Sequence, residues 1–251
     1  MTKIERTSLL SLEDYAKQRP EMRAEAMLLK RIRSVFVGTN MTLQFENEAT
    51  IRYQIQEMLR IEKTFEEEGI MDELEAYNPL IPDGTNLKCT QMIEFPDEDE
   101  RKVKLAELVN IENRTYVQIQ GFDRVYAIAD EDLERSSAEK TSSVHFSRFE
   151  FTAEMIVAIK KGAAIAMGSD HPNYNYRVDE IDPETQGSLI DDFAYSITPS
   201  ESPGHWPGFF LLEKKSVHCA RINYLGENNE SRSLYNHWLG SCHRCFFCSS
   251  T

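Results

Sequence analysis

The chain has 251 residues, enough for one large domain or two small ones that bury most of their apolar surface without a metal or disulfide. A hydrophobic content of 41% with 10% aromatic residues excludes global disorder, and a formal charge of -14 argues against a nucleic-acid partner, which needs clustered Lys and Arg. Residues 1–10 lack the apolar core of a signal peptide and no stretch approaches the ~18 apolar residues of a membrane span, so the expected place is the cytoplasm, with no membrane contact.

Ser11 opens an S-x-x-D pattern and reads as a helix N-cap. Pro20 suits the first turn of a second helix running to about residue 33, whose Lys30, Arg31 and Arg33 would complement the negative end of the helix dipole. Residues 34–37 and 41–46 read as short strands joined by Gly38-Thr39-Asn40. Asn47 is a candidate cap for the strongest helix, over 48–68, which Gly69 would end in the left-handed conformation. A turn-rich crossing through Pro79, Pro82 and Gly84 leads to a strand over 87–95 and a helix over 97–113.

Residues 115–120 and 124–129 flank Gly121-Phe122-Asp123 as a second hairpin, and 130–140 reads as a solvated run of charge. A strand follows over 143–151. Thr152 caps a helix over 153–161, Gly162 ends it, and a short apolar strand over 163–167 runs into a turn at Gly168. Hairpins within a mixed order of elements predict an α+β fold with a mainly antiparallel sheet packed by helices, one domain over residues 1–195.

After about Ala194 the composition changes. From Ile197 onward the chain holds four of its six His, four of its five Cys and both Trp, yet only nine charged residues and no helical or alternating period. Residues 196–251 are therefore expected to be an irregular, poorly packed and dispensable tail. Its sharpest motif is Cys242-x2-Cys245-x2-Cys248, the spacing of a ferredoxin-type cluster loop without the usual fourth Cys and following Pro; Cys219 or His218 would have to complete a set for iron-sulfur or zinc.

Chemistry within the domain has to come from isolated polar residues, since no phosphate loop, dinucleotide fingerprint or nucleophile elbow is present. A 100° step per residue along 48–68 puts Ile51, Ile55, Met58 and Phe65 in a stripe about 80° wide with Glu62 in its middle. A carboxylate there needs a partner, and Arg148 is the expected one, a buried ion pair or, if functional, a polar site with Glu57, Arg60 and Glu150. In the 143–151 strand Arg148 and Glu150 share a face with Val144 and Phe146, while His145 lies on the other. His145, Asp170 and His171 are candidate ligands for iron or zinc, although Asp170-His171-Pro172 also reads as a plain turn with Asp bonding local amides.

The runs from Ile51 to Glu62, from Ala76 to Lys88 and from Ala127 to Arg135, continued by Val144-His145-Phe146, Arg148-Phe149-Glu150 and Asp170-His171-Pro172, resemble a bacterial family catalogued as domain-of-unknown-function family 3501. The resemblance covers residues 1 to about 193 and stops near Ala194. It implies no reaction and no cofactor. Genes of that family tend to lie beside rubrerythrin-like proteins and iron-sulfur oxidoreductase subunits, so it implies partners in redox or peroxide defence. The expected function is a non-enzymatic accessory or binding protein in such a pathway; the alternative is a metal-dependent or acid-base enzyme built on the Glu, Arg and His residues named above.

Overall fold

The computed structural model describes residues 3–131, 135–137 and 139–194. Contacts divide the chain into a unit of Met1–Thr198 and a second of Pro199–Thr251. The tail motif Cys242, Cys245 and Cys248 lies outside the described residues.

Helix α1, Leu12–Ile32, is capped by Ser11, whose hydroxyl accepts from Asp14 N at 3.1 Å. It runs unbroken through Pro20, where two helices were expected. Proline offers no N–H to the carbonyl of Ala16, but both residues are exposed, so water can satisfy that carbonyl. Helix α2, Glu48–Glu62, starts at a reciprocal cap between Asn47 and Thr50 and ends at Lys63, which is left-handed with φ 55°. The expected helix over 48–68 is therefore too long. Helix α3, Glu67–Tyr77, contains Gly69, which serves close approach and not a helix stop: a Cβ there would lie 2.6 Å from the Thr64 methyl.

Strands β1, Ser34–Val37, and β2, Met41–Phe45, form the first hairpin, and β3, Asn86–Ile93, precedes helix α4, Glu98–Glu107. Next come β4, Thr115–Ile119, β5, Arg124–Tyr126, and the short β6, Ile128–Ala129. Strand β7, Val144–Glu150, leads to helix α5, Ala153–Lys160, capped by Thr152. Strand β8, Ile165–His171, is followed by β9, Tyr174–Val178, and helix α6, Pro183–Ile190. The last two elements were not expected from sequence, and β8 runs past the predicted turn at Gly168. That glycine sits mid-strand because a Cβ would meet the Tyr176 carbonyl at 2.5 Å and the Tyr116 hydroxyl at 2.7 Å.

Two antiparallel sheets result, ordered β1-β2-β3-β7-β6 and β5-β4-β8-β9. Alternation sends Met41, Leu43, Phe45, Leu87, Cys89, Ile93 and Phe149 to one face of the first, where they join Val117, Ile119, Ile165 and Met167 of the second in one core. A separate apolar cluster of Ile4, Ile51, Ile55, Met58, Ile70 and Leu74 binds α2, α3 and the N-terminal segment together. Among the described residues no helix is long and apolar enough to cross a membrane.

Arg33, expected in the cationic last turn of a helix, is fully buried at the C-cap of α1. Its Nε donates to Phe45 O at 3.0 Å, Nη1 to Ser188 O at 2.7 Å, and Nη2 to Glu46 O at 3.0 Å and to the Asp192 carboxylate. One guanidinium thereby joins the end of α1, the end of β2 and the end of α6, and its fork geometry lets each donor reach a different segment.

Candidate functional site

The structure splits the residues that sequence grouped into two pairs, Glu57 with Arg60 and Arg148 with Glu150, and leaves Glu62 out of both. Helix α2 ends at Glu62, which is exposed beside an exposed Phe65, so its carboxylate does not face the core. Arg148 bonds Glu131 through Nε and Nη2, both at 2.8 Å, and also Glu150, on the outer face of β7. Glu150 accepts in addition from Asn86 Nδ2 at 2.7 Å. The Glu62–Arg148 pair is thus corrected: Arg148 belongs to a half-exposed surface network.

Asp170 and His171 lie in β8 and, as neighbours in a strand, point to opposite faces. Asp170 accepts from Tyr126 Oη at 2.6 Å and Arg124 at 2.9 Å, not from local amides in a turn. His171 Nε2 donates to Val109 O at 3.0 Å. His145 is engaged elsewhere, and among the described residues no three His, Cys, Asp or Glu side chains are arranged to hold a metal.

His145 is fully buried, with Nδ1 2.6 Å from Asp130 Oδ2 and Nε2 3.1 Å from the Ser142 carbonyl. Nε2 is also 2.9 Å from Thr141 Oγ1, whose proton goes to Glu112 Oε2 at 3.0 Å. A carbonyl and a carboxylate accept, so each ring nitrogen of His145 has an acceptor within hydrogen-bond distance. Asp130 takes a left-handed φ of 54°, which Asp tolerates, and its other oxygen accepts from Arg135 and Phe146 N, each at 3.1 Å. Asp130 and Thr141, at the two ends of the expected solvated charge run, are partners of the buried His145 ring; the even spread of charge there hid Asp130 from sequence reasoning.

The other closed constellation lies between α1 and α2. The Glu57 side chain is 0% exposed, and its oxygens accept from Tyr15 Oη at 2.6 Å, Arg19 Nε at 2.7 Å and Arg19 Nη2 at 2.9 Å. Arg60 adds two longer bonds of 3.3 and 3.2 Å. One turn earlier on α2, Tyr53 Oη accepts from Arg23 at 3.2 Å, and the buried Gln54 amide oxygen has no hydrogen-bond partner among the described residues. Burial pushes the Glu57 carboxyl up, but the bonds from Arg19, Tyr15 and Arg60 outweigh it and hold the group at about 2. Burial and Glu57 raise the Tyr15 phenol, which stays protonated. At neutral pH the carboxylate is therefore ionised and fixes the arginines around it. Sequence singled out Glu57 and Arg60; Tyr15, Arg19 and Arg23 were missed because their common side of α1 is mostly polar and has no apolar signature.

A family model described as Protein of unknown function (DUF3501) matches residues 3–193. The chain belongs to the DUF3501 family. A solved structure from Burkholderia pseudomallei, described as a novel protein of unknown function, is 50% identical with a TM-score of 0.74, covering 77% of this chain and 100% of that one. No curated protein matches the chain. The DUF3501 match ends at residue 193, beside Ala194, whose N–H donates to Gly84 O at 2.9 Å.

Carboxyl groups in this DUF3501 domain make stability depend on pH in two directions. Burial, with Glu62 and Asp72 nearby, pushes Glu73 up to about 7, and burial pushes Asp192 up to about 6 against the pull of Arg33. A raised acid stabilises the fold fully below its unfolded value and loses that contribution as pH rises through the folded one. Glu57 is depressed, so its contribution is present above its unfolded value and lost as pH falls toward 2. The thermal midpoint should therefore rise as pH is lowered from about 8 to about 5 and fall below about 4. Glu73→Gln should flatten the upper limb, and an unchanged slope in that variant would show that Glu73 titrates normally.

Proposed function

We propose that the chain is a non-enzymatic binding protein, an accessory to a partner in a redox-linked pathway, with the α1–α2 seam as its recognition surface. The observation that carries the reading is Glu57: a fully buried carboxylate held ionised by two arginines that are themselves a third exposed. Such a group spends its charge on orienting donors toward solvent, which suits recognition and not turnover. The redox link rests on the gene neighbours implied by the family resemblance, rubrerythrin-like proteins and iron-sulfur oxidoreductase subunits.

The test pairs metal analysis of the purified full chain with titration against a purified rubrerythrin-like protein from the same organism. Binding that Arg60→Glu weakens at least tenfold, with sub-stoichiometric iron and zinc, is the expected result. One iron or zinc per chain retained through purification, together with unchanged binding in the variant, would overturn it. Truncation after Ala194 should leave both the binding and the thermal midpoint as they were, and a fall of many degrees would make the tail part of the fold.

A second reading, acid-base catalysis, is favoured by one observation, the 2.6 Å contact between His145 and Asp130. It requires an exchangeable proton that substrate can reach, whereas the His145 side chain is 0% exposed.

A further inference from the structure

Charge at the mouth of the seam does not balance. Three guanidinium groups, Arg19, Arg23 and Arg60, converge on Glu57 and Tyr53, and Glu57 is the one carboxylate bonded to them among the described residues. Both phenols nearby are raised, Tyr53 first by burial and then by Glu57, and contribute no negative charge. The local sum is two positive charges in a chain whose formal charge is -14.

The donors are also unevenly used. Arg19 and Arg60 each spend Nε and Nη2 on Glu57, and Arg23 spends Nη1 on Tyr53. Arg19 Nη1, Arg60 Nη1, Arg23 Nε and Arg23 Nη2 have no hydrogen-bond partner among the described residues. Their side chains reach solvent, at 31% exposure for Arg19 and 38% for Arg60, while the buried carboxylate locks two of the forks. A guanidinium held by one carboxylate has already lost its rotamer freedom, so a second oxyanion binds it with less ordering cost.

We infer that Arg19, Arg23 and Arg60, held in place by Glu57, form a binding site for an oxyanion, a phosphate or carboxylate group of a ligand or partner. Planar forks with fixed direction suit the paired oxygens of such groups, which an ammonium meets only as a point charge. Glu57 acts as a positioning residue. The inference rests on the reading of the seam as a recognition surface and names the chemistry that it recognises.

The test is the thermal midpoint of the full chain titrated with inorganic phosphate, and separately with succinate, at constant ionic strength set by sodium chloride. A saturable rise with either anion is expected, and which anion acts distinguishes a phosphate from a carboxylate source. Arg23→Ala removes a single 3.2 Å bond and leaves Glu57 with Arg19, so that variant should fold. It and Arg60→Ala should each weaken the apparent affinity roughly tenfold or more. Arg124→Ala, on the second sheet, should leave it unchanged. No saturable rise with either anion, or a rise that both seam variants retain, would overturn the site. If protein binding persists while both anions fail, the oxyanion site falls and the binding-protein reading stands.

Discussion

Replacing Arg33 by methionine is expected to cost about 3 to 5 kcal/mol, read as a fall in the urea midpoint with an unchanged denaturant slope. The guanidinium is fully buried and serves three carbonyls and the Asp192 carboxylate, which is itself 2% exposed. Methionine fills most of the volume but donates nothing, so the carbonyls of Phe45, Glu46 and Ser188 lose their donor and Asp192 is left charged in a medium that solvates it poorly. Burial already pushes that carboxyl up to about 6 with Arg33 present, so in the variant it should take a proton at neutral pH and recover part of the loss. The variant should accordingly gain more stability than the parent when pH is lowered from about 7 to about 5. Asp192→Asn alone should cost less, because Arg33 keeps its three carbonyls, and adding it to Arg33→Met should cost less than the sum of the two. Additive changes below about 1 kcal/mol would place Arg33 at the surface, against the burial that the structure gives it.

Arg33 shows why part of the fold was illegible. Its partners Ser188 and Asp192 lie 155 and 159 positions away, on and beside a helix of eight residues that carries a Pro and a Gly and has no strong period. Features fixed by neighbours in sequence were readable: the caps at Ser11, Asn47 and Thr152, the hairpin across Gly38, and the antiparallel pairing it implied. Where two local rules competed, sequence chose wrongly. Gly69 looked like the end of α2, but Lys63 takes the left-handed turn and the glycine answers a close approach of Thr64 in the connection between α2 and α3.

That one displaced helix end also moved the candidate site. A continuous helix to residue 68 makes Glu62 the carboxylate amid apolar neighbours. In the structure α2 ends at Glu62, which is exposed, and the buried carboxylate of this helix is Glu57, on a different face from the apolar stripe. The period did not point to it: Glu57 is met by Tyr15 and Arg19 of α1 and by Arg60 of α2, while Arg148 is occupied by Glu131 and Glu150.

Asp130→Asn is expected to destabilise the fold by about 3 kcal/mol, chiefly through His145. Asparagine keeps the shape and tolerates the left-handed backbone at φ 54°, so the change isolates charge from geometry. Asp130 meets His145 Nδ1, Arg135 and Phe146 N with its two oxygens. Asparagine offers one neutral amide oxygen in their place, so at least one of these partners is left unsatisfied where water cannot replace the lost bond. Hydrogen exchange at Phe146 N, which donates to Asp130 Oδ1, should quicken in step. A cost below about 1 kcal/mol, that of a neutral hydrogen bond, would show that the charge of Asp130 does not hold His145 in place. If instead the variant keeps its stability but loses a measurable turnover, His145 and Asp130 are held for chemistry, and the binding-protein reading gives way to the acid-base one.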